Sequence, residues 1–146
     1  MDWHDWLLFL HVGSVFVFGM ALVAFWGAVI AGLRPAGGDP EALALTIARP
    51  ANVLVAVGSI GSLAFGVWLA IDLDEYHPWD GWIVASLVLW AVAVGVGGLA
   101  ARAFQSALGR EAAEASVLRQ RGTLFQTAST LAYVAILVLM IFKPGA

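Results

Sequence analysis

Residues 6–26, WLLFLHVGSVFVFGMALVAFW, contain no Asp, Glu, Lys or Arg, and His11 is their one ionisable group. About 20 mainly apolar residues, wound as a helix, cross the hydrocarbon core of a bilayer. This stretch meets that requirement, which decides the class of fold, and it raises a question: what does an imidazole do inside so apolar a run?

The rest of the chain is of the same kind. Of 146 residues, 62% are hydrophobic and 12% charged, against about 45–50% and roughly 25% in an ordinary soluble domain. Four spans are expected, Trp6 to Leu33, Ala51 to Ile71, Trp82 to Ala101 and Thr123 to Phe142, none carrying Asp, Glu, Lys or Arg. Backbone groups unpaired in hydrocarbon are costly, so spans must be helices or a closed barrel, and continuous apolar runs lack the alternation of barrel strands. The expected fold is all-α: an integral membrane four-helix bundle in a single domain over residues 1–146. The N-terminus, MDWHDW, lacks the basic region of a secretory signal, so the first span reads as a retained helix. The absence of cysteine excludes disulfides, thiolate metal sites and iron–sulfur clusters.

Between the spans, RPAGGDPEALALTIARP (34–50) breaks at Pro35, Gly37 and Gly38, restarts at Asp39 as an N-cap before Pro40, and is expected to break again at Pro50, leaving a short interfacial helix over 40–48. DLDEYHPWDG (72–81) reads as an acidic loop, with Asp72, Asp74, Glu75 and Asp80. RAFQSALGREAAEASVLRQRG (102–122) reads as a polar helical extension of the last two spans, interrupted around Gly109 and Gly122.

Basic residues set the orientation. Arg34 and Arg49 lie in the first connection, and Arg102, Arg110, Arg119 and Arg121 in the third, whereas the N-terminus and second connection have none. By the positive-inside rule the two arginine-bearing connections are cytoplasmic and both termini are outside. Trp3, Trp6, Trp68, Trp79 and Trp82 then fall at the outer interface, as do His4, His11 and His77. The arginines match topology determinants, so nucleic-acid binding finds no support; no Gly-rich phosphate loop, nucleophile motif or catalytic triad is present.

In lipid, helices associate through small residues and interhelical hydrogen bonds. Gly58, Ser62 and Gly66 recur every fourth residue, with Asn52 and Ser59 near the same stripe, and Gln126, Ser129, Thr130 and Tyr133 share a face of the last span. The two stripes are expected to meet as packing surfaces, and Gly95 to Gly98 to serve the same way. A hydrophilic pathway is the alternative, against which stands the absence of any mid-membrane carboxylate or lysine.

For His11 two readings stand. One is a neutral imidazole bonded to a backbone carbonyl or a serine of a neighbouring helix. The other is a ligand to haem iron, copper or zinc, for which imidazole is suited, with His4, His77, Lys143, Met20 or water as a partner.

The segments LHVGSVFVFG (10–19), RPANVLVAVGSIGS (49–62) and LMIFKPG (139–145) resemble small bacterial membrane proteins that include the copper-resistance protein D-like domains and, more distantly, the membrane protoporphyrinogen oxidase. Members carry an early histidine, a tryptophan about seven residues on, and then glycine; His11 and Gly19 match, while Phe18 stands at the tryptophan position. The resemblance implies an inner-membrane protein binding a redox-active group, haem b before copper, through His11, with Lys143 as the counterpart of a second group. The rival expectation is a non-catalytic membrane subunit or scaffold, as a homo-oligomer or docked on a larger complex; a third is a small transporter built around the polar stripes.

Overall fold

The computed structural model describes residues 2–33, 40–72, 77 and 79–144, and all its regular structure is helical. The helices are α1 (Trp3–Leu33), α2 (Pro40–Asp72), α3 (Gly81–Ser106) and α4 (Ala112–Phe142), and each is long and apolar enough to cross a membrane. They form two compact units, Met1–Pro78 and Trp79–Ala146, in which α1 packs on α2 and α3 on α4. Arg34, Pro35, Gly37, Gly38, Asp39, Asp74 and Glu75 lie outside the described residues.

The surface is unlike that of a water-soluble domain. Large apolar groups face outward, with Phe16 and Val23 each 71% exposed, while His11, Ser59, Ser62, Ser86, Gln126 and Ser129 are buried. Where the surroundings are hydrocarbon, burial of apolar surface gains little, and polar or small groups gain by facing one another.

Three local expectations are corrected. Pro50 does not break the chain, because α2 runs through it without interruption. A proline inside a helix forgoes one ladder hydrogen bond, and Pro50 stands where the apolar span of α2 begins, between a more polar first stretch and the lipid-compatible one. Gly109 does interrupt the third connection, in the left-handed region at φ 67°, but Gly122 lies inside α4. A Cβ there would stand 2.9 Å from the Phe104 ring, so this glycine makes room for an aromatic side chain and is not a turn residue. Asn52 is exposed and so off the stripe; six residues before Gly58, it is about 120° away around the helix.

The small-residue stripes find partners inside their own hairpins. Along α2, a Cβ on Gly58 would stand 2.5 Å from the backbone nitrogen of Phe18, one on Gly61 would run into Ser14, and one on Gly66 would stand 2.8 Å from the His11 ring. Along α4, Ser129 Oγ donates to Ala93 O of α3 at 2.7 Å, and Gly97 lies against the same serine, whereas Gly95 and Gly98 have open space beside them. Within each hairpin the pairing is α2 with α1 and α4 with α3.

Candidate functional site

The polar groups of α1 all lie in its first half, at the end of the hairpin where α2 closes. There Trp3 and Trp68 meet edge to face at 5.6 Å, and His4 Nδ1 lies 3.7 Å from Asp72 Oδ2, both side chains about one-third exposed. A polar contact that wet contributes little to stability. Its use is positional, tying the first turn of α1 to the last of α2.

Eight residues after Trp3, about 12 Å along the axis, lies His11. Its side chain is buried, at 7% exposure, on the α1 face that also carries buried Leu7 and Phe18. The ring rests on α2, with Nδ1 3.1 Å from Ser62 O. A carbonyl only accepts, so Nδ1 carries the hydrogen and donates it. In the neutral ring the lone pair then sits on Nε2, which makes no hydrogen bond among the described residues.

The local sequence explains how the ring comes so close. The Ser62 carbonyl points along α2 toward residue 66, one turn on, and a side chain at 66 would screen it from the side. Gly66 has none, and the space a Cβ would take is within 3.0 Å of both His11 Cε1 and Nδ1. Close approach of a neighbour is a standard reason for glycine in a helix despite its entropic penalty. The hydroxyl of Ser62 donates to Ser59 O at 3.0 Å, and that of Ser14 to Leu10 O at 2.7 Å, so neither serine brings an unsatisfied hydroxyl to the seam.

The geometry suits two chemistries. A buried imidazole with one nitrogen bonded across a helix pair is an interhelical strut. The same hydrogen bond is the kind of outer-shell contact that metal-ligating histidines use to fix tautomer and ring orientation, and it leaves the other ring nitrogen, Nε2, as the one that could ligate. Copper or zinc asks for several protein donors; among the described residues no group of three or more His, Cys, Asp or Glu is gathered.

His4 is on Asp72, and His77 is exposed in the connection before α3. Lys143 belongs to the second hairpin, where it ends α4 in the left-handed region at φ 39°, its amide donating to Leu139 O at 2.9 Å and its ammonium 5.7 Å from the Trp82 ring. Of the α4 stripe, Gln126 and Ser129 are buried, Thr130 and Tyr133 half-buried, and Thr130 Oγ1 donates back to Gln126 O within its own helix. Gln126 Nε2 is buried and has no hydrogen-bond partner among the described residues. Sequence reasoning singled out Gly66 as a packing residue but did not connect it with His11, because the two are 55 positions apart and only the hairpin register joins them. No family model matches the chain, and no curated protein or solved structure matches it either.

Proposed function

We propose that this chain is a multi-pass protein of a bacterial inner membrane, with both termini outside, that binds haem b near the outer leaflet through His11. The single observation that supports this reading most is the Nδ1 bond to Ser62 O, which holds a buried imidazole in the tautomer that leaves Nε2 as the ligating atom. Haem comes before copper because haem iron would need only one imidazole from this site, while a copper ion would need further donors beside it.

In this reading each residue has a limited task. Ser62 O orients the ring and fixes its tautomer, as outer-shell acceptors do. Gly66 gives the ring its place. Leu7 and Phe18, buried on the same face of α1, keep water from the helix seam. Bound haem supplies one-electron chemistry.

The test is an absorption spectrum of detergent-purified protein expressed with haem supplied, beside His11→Ala. The reading expects a Soret band in the parent and its loss in the variant at unchanged helix content. A parent without that band, or a variant that keeps it, overturns the reading.

One observation favours a second reading, a non-catalytic membrane subunit whose helices dock tightly on themselves or on a larger complex. The seam at Gly58 is so close that it admits no side chain, an arrangement that serves packing alone. It expects no haem band, and loss of assembly on bulky substitution at Ser62 or Gly66.

A further inference from the structure

The second hairpin carries a band of arginines that the haem reading leaves unused. Phe104 of α3 lies opposite Gly122 of α4, and Gly97 opposite Ser129, which fixes a constant antiparallel register. By that register Arg121 stands level with residue 105 and Arg119 with residue 107. Together with Arg102 they occupy a band about 8 Å deep along the hairpin. All three are exposed.

Position and charge both point to one kind of ligand. Along α3, Arg102 is 20 residues from Trp82, about 30 Å at the helical rise and the thickness of a bilayer's hydrocarbon core. With Trp82 and Lys143 at one boundary, the band falls at the headgroup level of the other. No Asp or Glu occurs in residues 101–108 or 118–125. Glu111 and Glu114 lie further out, and Arg110, at 3.3 Å from Glu114, is already paired. Arg119 and Arg121 are about 200° apart around α4, so they sit on different sides of it. They form a collar, not a patch on one face.

We infer that Arg102, Arg119 and Arg121 form a binding collar for the phosphates of anionic phospholipid headgroups. Arginine presents a planar fork of donors that matches phosphate oxygens two at a time, and basic residues at a membrane surface attract anionic lipid additively. The inference rests on the membrane-spanning part of the proposal above and is independent of haem.

The test uses the full chain reconstituted in phosphatidylcholine vesicles that contain spin-labelled phosphatidylglycerol or spin-labelled phosphatidylcholine, with the motionally restricted fraction read for each. The expected result is a preference for phosphatidylglycerol that falls up to about fivefold for each of R102Q, R119Q and R121Q and is gone in the triple variant. Arg110→Gln leaves the preference unchanged, and the triple Arg→Lys variant, which keeps the charge but lacks the planar fork, retains only part of it and controls for any disturbance of folding by the glutamines. Added inorganic phosphate does not displace the labelled lipid; displacement would mean a site for free anions and overturn the inference. Equal restriction of both lipids by the parent protein, or a preference that survives in the triple glutamine variant, also overturns it. Failure to enter vesicles would sink the membrane reading along with the collar, whereas entry without lipid preference sinks the collar alone.

Discussion

Gly58→Ala tests the first hairpin where it has least room to adjust. The added methyl would lie 2.5 Å from the backbone nitrogen of Phe18, 2.8 Å from its Cα and 2.9 Å from its Cβ, against an ordinary carbon contact of about 3.5–4.0 Å. Two of those atoms are backbone, so no rotamer change relieves the clash; α1 and α2 must separate by about 1 Å. Overpacking of this kind costs about 1–3 kcal/mol. The same separation stretches the His11–Ser62 bond, now 3.1 Å, beyond useful range, and an interhelical hydrogen bond in lipid is worth about 0.6 kcal/mol. Alanine also gains helix propensity over glycine, so the control is Gly13→Ala, where nothing lies within 4 Å and the propensity gain acts alone. Reversible unfolding in mixed micelles is expected to place Gly58→Ala about 2–3 kcal/mol below Gly13→Ala, roughly a 30- to 150-fold difference in the folded-to-unfolded ratio. Equal stability of the two variants would refute the close α1–α2 seam.

Gly122→Ala meets the tip of the Phe104 ring and no backbone; the ring can turn aside, so the same micelle assay should find it at least about 1 kcal/mol less damaging than Gly58→Ala. Ser129→Ala removes the 2.7 Å bond to Ala93 O and is expected to weaken the α3–α4 hairpin by about 0.6–1 kcal/mol, measured by the same unfolding. Gln126→Leu removes a buried amide nitrogen that has no partner; the variant is expected to be more stable than the parent by about 1 kcal/mol or more, and a loss of that size instead would show the amide to be engaged.

The number and type of the helices were legible because each span is an uninterrupted apolar run, the strongest signal a membrane segment gives. Their ends were less so. Gly109 is a break and Gly122 is not, since a glycine that provides a positive φ and one that provides space are indistinguishable in sequence until the facing residue, here Phe104, is known. Pro50 misled for a related reason: a proline ends a helix in water more often than in a membrane span, where surrounding groups tolerate the missing bond. The Gly58, Ser62 and Gly66 stripe was visible from its spacing, but its partner was not, because four helices offer several pairings and periodicity ranks none of them. For His11 the sequence offered a carbonyl or serine of a neighbouring helix as its partner. The geometry specifies the Ser62 carbonyl, reached because residue 66 has no side chain.

The most direct test of the account is the state of the His11 ring itself, read by nitrogen-15 NMR on histidine-labelled protein in lipid, with His4→Gln and His77→Gln removing the other two signals. The account predicts a neutral ring protonated at Nδ1 and bare at Nε2, with haem then perturbing Nε2 and leaving the Nδ1–H donated to the Ser62 carbonyl. A hydrogen on Nε2, or an imidazolium with both nitrogens protonated, would contradict it.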